Sequence, residues 1–96
     1  MIGVVAQLKV KAGEQAGFEE VASKLVAAVN ANEPGCKLYR LFKVRESETD
    51  YVFMEKYEDE AAVDAHRGSE HFKTLGAAMG PFLAGRPEII RMDMVE

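Results

Sequence analysis

The sequence has a single cysteine, no basic excess, no long apolar run and no glycine-rich phosphate loop. Each shortage removes a class of function. Cys36 has no second thiol to meet, so an intrachain disulfide and a cysteine zinc cluster are both excluded. It reads as a small hydrophobe at a strand start. Lys and Arg number 12 against 16 Asp and Glu, for a net charge of −4 at pH 7. There is no cationic surplus to displace counterions from phosphates, so nucleic acid is not an expected partner. The longest uncharged apolar-rich run, Leu25–Ala31, falls far short of the roughly 20 residues of a membrane-spanning helix. Met1–Val5 carry neither a basic leader nor a cleavage site. No membrane is expected, and the cytoplasm is the expected compartment. The glycines are scattered, with no G-x-G-x-x-G, no phosphate loop of the P-loop type and no G-x-S-x-G elbow.

What remains is ordinary globular material. The chain is 96 residues long, against roughly 100–200 residues for a typical domain. It therefore reads as one small domain, 1–96, too short for separate cofactor and substrate domains. Apolar residues make up 48%, enough to offset chain entropy, so disorder is excluded.

Hydrophobic periodicity places the elements. Residues 2–11 alternate, with Ile2, Val4, Ala6, Leu8 and Val10 on one face, which predicts a strand. Phe18, Val21, Ala22, Leu25, Val26 and Val29 then form the apolar stripe of a helix, which Pro34-Gly35 terminates. A second strand is expected over 36–46, a polar hairpin loop at Glu46–Asp50, and a third strand over 51–57. Asp59 is placed to cap a short helix, and Ser69 to cap a further one after the break at Gly68. A last strand is expected over 86–95. The order β-α-β-β-α-β is the ferredoxin-like α+β arrangement, with helices on one face of an antiparallel sheet. Strands two, three and four carry apolar residues on both faces. Two sheets packed face to face in a twofold homodimer would cover the second one.

Few residues could carry chemistry. Glu55 lies on a strand face between Phe53 and Tyr57, where a carboxylate would be poorly solvated. His66 sits on the element expected to cover that strand. A Glu55–His66 pair is a candidate acid/base unit, the carboxylate fixing the imidazole tautomer. The plainer alternative is a buried hydrogen bond that only pins helix to sheet. His71 reads as part of a partly wet helix start. A metal site from the two histidines and Glu55 is conceivable on ligand type, but the five-residue spacing is not that of a helical metal pair.

The stretch Tyr51-Val-Phe-Met-Glu55-Lys-Tyr57, then Ala61-Ala62, His66 and Ser69-Glu-His71-Phe72, resembles the antibiotic biosynthesis monooxygenase family. Members show a strand ending in Glu-x-Trp or Glu-x-Tyr, an Ala-rich short helix, a His, then Ser-x-His-Phe. The likeness covers nearly the whole chain. It implies a dimeric α+β barrel and, for the best-known members, oxidation of phenols or quinols by O₂ without metal or flavin. Glu55, Tyr57, His66, His71 and Phe72 match the recurrent residues, with Tyr57 where a Trp is common. The haem-degrading branch fits poorly, because its axial His would fall near Gly76 and its pocket Trp near His66.

These residues support two readings from different classes. In the first, His66 and Glu55 are catalytic, while Tyr57, Phe53, Phe72 and His71 bind a small aromatic that O₂ oxidises, with no cofactor. An isomerase would use the same proton abstraction without O₂. In the second, a homodimeric module binds a small molecule without turnover, and Glu55 and His66 are structural.

Overall fold

The computed structural model describes residues 1–96. Strand β1 is Ile2–Lys9, helix α1 Gln15–Asn32, β2 Cys36–Lys43, β3 Asp50–Tyr57, α2 Glu60–Gly68, α3 Glu70–Met79 and β4 Glu88–Asp93. A short 3-10 turn, Gly80–Phe82, succeeds α3. The order is thus the ferredoxin-like one, with the second helical region split in two. The strands stop earlier than the alternation suggested: β1 ends at Lys9, leaving Val10 as an isolated bridge to Leu83, β2 ends at Lys43, and β4 spans only six residues.

The split in the helical region is a capping effect. Asp59 Oδ1 accepts the Ala62 N–H at 2.9 Å and starts α2. Ser69 works on both sides of the break. Its hydroxyl donates to the His66 carbonyl at 2.7 Å and accepts the Phe72 N–H at 3.2 Å. One side chain therefore closes α2 and opens α3.

The four strands form an antiparallel sheet in the order β2-β3-β1-β4. Register sets the faces. Val4 lies opposite both Glu55 and Arg91, and Ala6 opposite both Phe53 and Ile89, so these residues share the face beneath the helices. Phe18, Ala22, Leu25 and Val29 of α1 are fully buried against that face, as the stripe predicted. Phe18 packs on Tyr51 with ring centroids 4.9 Å apart. The opposite face carries Leu38, Phe42, Met54, Ile90 and Met92, all exposed.

At one point the backbone comes close to a helix. A Cβ on Gly35 would sit 2.7 Å from the Ala62 Cβ, so the turn before β2 touches α2 without an intervening side chain. Gly76, inside α3, has nothing within 4 Å of such a Cβ. Gly35→Ala is therefore expected to lose about 1–3 kcal/mol through overpacking. Gly76→Ala should gain roughly 0.5–1 kcal/mol from helix propensity. Urea denaturation of the two variants beside the parent checks both signs.

Candidate functional site

The concave side of the sheet and helices α2 and α3 enclose a cavity of about 760 Å³, within the range of small-molecule sites. Its walls are mostly apolar. Tyr39, Phe53, Tyr57, His66 and Phe72 form an aromatic end, and Glu55, Arg67, Lys73 and Arg91 supply the charges. The structure thus brings five of the six expected residues to one cavity. The sixth, His71, does not line it.

His66 is the buried polar residue of the core, 4% exposed. Its ring sits among Phe72, Tyr39 and Tyr57, with centroids 4.6, 5.2 and 5.5 Å away. The expected Glu55–His66 pair does not form. Instead, His66 Nδ1 lies 3.0 and 2.9 Å from the two carboxylate oxygens of Glu33. A carboxylate only accepts, so Nδ1 carries the proton and Nε2 the lone pair. Nε2 has no hydrogen-bond partner, yet no fully buried side-chain nitrogen in the molecule lacks one. Nε2 is therefore not fully enclosed, and His66 is one of the residues that line the cavity.

Glu33 also accepts a hydrogen bond from His71 Nε2. His66 is on α2 and His71 on α3, so the Ser69 break lets two histidines five apart converge on one carboxylate. Glu33 comes just after the last turn of α1, where Pro34 disfavours helical backbone for the residue before it. Sequence reasoning treated this segment only as a helix stop. The signal was present, because Glu33 continues the buried series Phe18, Ala22, Leu25, Val29 at the next four-residue step. The donor atoms of Glu33, His66 and His71 lie within 4.8 Å of one another, a donor set that suits a divalent transition metal better than one built on Glu55. Hydrogen bonds already join all three, and an ion would have to displace those protons.

Glu55 keeps a different partner. It accepts the Tyr57 hydroxyl at 2.7 Å. Burial pushes its pKa up to about 7, against the opposing pull of the Tyr57 hydrogen bond. The Glu33 charge adds to the rise and Arg91 works against it. Burial lowers the His66 pKa, while its hydrogen bond to Glu33 pulls the other way. Burial also raises Tyr39 and Tyr57, which stay neutral. The cavity therefore offers a neutral imidazole with a free lone pair beside a carboxyl that is half protonated near neutrality.

Comparison with known proteins adds the family. The family model described as antibiotic biosynthesis monooxygenase matches residues 1–78. YcnE of Bacillus subtilis, which is named as a monooxygenase, is 32% identical over 96 residues, covering 100% of both chains. A solved structure from Caulobacter crescentus, named for the same family, is 47% identical with a TM-score of 0.95, covering 99% of this chain and 90% of that one. Rv0793 of Mycobacterium tuberculosis shares the fold at a TM-score of 0.90 and 21% identity, covering 99% of this chain and 95% of that one.

The Glu55 environment has a consequence for stability. Its folded pKa, about 7, lies above the ordinary value of 4.5. The folded state holds a proton that the unfolded chain releases between these two values. Stability contributed by this group is therefore lost as pH rises through the window, and the loss is complete above about 7. Glu55→Gln removes the effect. Its stability relative to the parent should improve by roughly 2–3 kcal/mol between pH 4.5 and 8, measured by urea melts at both ends.

Proposed function

From the premise that this chain belongs to the antibiotic biosynthesis monooxygenase family, we propose that it oxidises a small phenol- or quinol-type aromatic with O₂. The observation that carries this reading is the free Nε2 of His66 in an aromatic-walled cavity, with Nδ1–H held by Glu33. In the reaction His66 removes a proton from a phenol or an activated ring methylene, and the Glu33 carboxylate stabilises the imidazolium that forms. The substrate anion then gives one electron to O₂, and the resulting radical pair joins to form a C–O bond. The imidazolium returns its proton to the peroxide. Loss of the hydrogen that remains on the oxygenated carbon, as a proton, breaks the O–O bond, leaving a carbonyl and one water. The substrate supplies every electron, so the step asks for no metal and no flavin. Tyr57, Phe53 and Phe72 hold the ring, and Glu55 presents a carboxyl proton or an acceptor to its oxygen.

The working form on this reading is a homodimer in the cytoplasm. What supports the dimer is the face opposite the cavity. Leu38, Phe42, Met54, Ile90 and Met92 are there 39–49% exposed. An apolar sheet face of this kind is covered most simply by its own twofold copy.

The direct test is oxygen uptake by metal-stripped protein with anthrones and quinols, corrected for autoxidation. Turnover is expected in the parent, with a loss of about 10²–10⁴ in His66→Ala. Uptake that appears only after a divalent metal is added would replace the base mechanism by a metal one. Tight ligand binding with no turnover would leave a binding module. Phe42→Asp tests the dimer separately: sedimentation velocity should show the parent at twice the mass of the variant, and a monomeric parent would overturn the assembly.

A further inference from the structure

The cavity has two ends of different character. Tyr39, Phe53, Tyr57 and His66 at its floor are buried. Arg67, Lys73 and Arg91 line the same cavity but are exposed, which places them at its mouth. A chain with 12 Lys and Arg against 16 Asp and Glu thus gives this cavity three cations and one carboxyl, Glu55. The oxidation proposed for His66 uses none of the three cations. The fold makes little use of them either. Arg67 and Lys73 enter no ion pair. Arg91 has only Glu60, at 3.7 Å with both side chains largely in water, a kind of pair that contributes little. We propose that these cations form a subsite for a carboxylate carried by the aromatic substrate, with Arg91 as its main holder. This rests on the reading of the cavity as the site of oxidation, and it narrows the substrate class to phenol or quinol acids.

Sheet register fixes the spacing. Tyr39, Glu55, Val4 and Arg91 form one row across the four strands. Neighbouring strands lie roughly 4.8 Å apart, so the backbone of Arg91 is about 10 Å from that of Glu55. An aromatic whose phenol lies at the Glu55 and His66 end can therefore present a substituent on its far side to Arg91. The added charge then stays away from the Glu55 carboxyl. Arg91 stands on a paired strand, and its planar guanidinium can hold a carboxylate through two parallel N–H donors. Arg67 in the last turn of α2 and Lys73 on α3 line the cavity from the helical side and add charge without that fork. The charge of Arg91 already acts into the cavity, because it opposes the rise in the Glu55 pKa. In a chain of net charge −4, a cationic mouth draws anions to one opening. A neutral aromatic gains nothing from it.

The experiment compares anthraquinone-2-carboxylate with anthraquinone-2-carboxamide, which share a ring system and nearly a shape but differ by one charge. Neither has a phenol or ring methylene to oxidise, so binding is read without turnover. Calorimetry on the full chain at about pH 7.5, where the acid is ionised, gives both Kd values. The parent should hold the carboxylate at least about tenfold tighter than the amide. Arg91→Gln should bring that ratio below about threefold, the amide Kd of the same variant reporting that the cavity is intact. Glu60→Gln frees Arg91 from its present partner and should raise the ratio, and added salt should lower it. Equal affinities in the parent, no binding of the carboxylate, or a ratio that Arg91→Gln leaves alone would each overturn the proposal. Should Arg91→Gln fail to fold, a Glu60→Gln ratio no higher than the parent's overturns it as well. A carboxylate preference without oxygen uptake from any phenol acid overturns the oxygenase reading alone. Uptake with no preference between acid and amide overturns the subsite alone.

Discussion

An ionised carboxylate taken out of water costs several kcal/mol unless charges or hydrogen bonds replace its hydration. Glu33 is such a group, and the arrangement of three helices is set by how it is satisfied. Its two oxygens take hydrogen bonds from His66 on α2 and His71 on α3, while its backbone ends α1. Removing any one partner would leave a buried polar group short of a bond. Each geometric oddity nearby serves this contact. Pro34 turns the chain out of the helix at the right residue. Gly35 lets α2 come close enough for His66 to reach across. Ser69 interrupts the helix, because five residues along an unbroken one would set the two histidines roughly 140° apart around its axis.

The site holds two carboxyl groups in different surroundings. Glu33 sits between two imidazole N–H donors. Glu55 has one phenol donor and apolar walls, which hold its pKa at about 7. Separating titratable groups in this way lets one cavity present a base and an acid at one pH. It also explains why Glu55 is not the orienting group for His66. A carboxylate facing the cavity cannot at the same time stand behind the imidazole ring, where Glu33 holds Nδ1.

Much of this was legible in the sequence, for physical reasons that can be named. The α1 stripe, the both-sided strands and the two caps at Asp59 and Ser69 are local patterns, and local patterns survive into the fold. Strand alternation alone was enough to put Phe53, Glu55 and Tyr57 on one face. The pairing of His66 was not legible, because it depends on a partner 33 residues away whose reach is set by a turn and a glycine contact. The strand pattern pairs His66 with Glu55, the carboxylate between two aromatic rings, whereas the fold supplies Glu33. The strand ends were missed for a similar reason: pairing with a neighbour, not alternation, decides where a strand stops.

The alternation of β3 ties the cavity to the opposite face of the sheet. Phe53, Glu55 and Tyr57 point into the cavity, so Val52, Met54 and Lys56 must point away. A slip of one residue would exchange the two sets and destroy the site. The outward row is therefore not free to become polar throughout. It must keep β-forming residues that hold the register beneath Glu55, and Val52 and Met54 do so at the cost of apolar exposure. Covering that face with a second copy would remove the exposure and stiffen the strand that carries Glu55 and Tyr57. The apolar outer row and the placing of Glu55 and Tyr57 in the cavity are then two consequences of one strand's pleat.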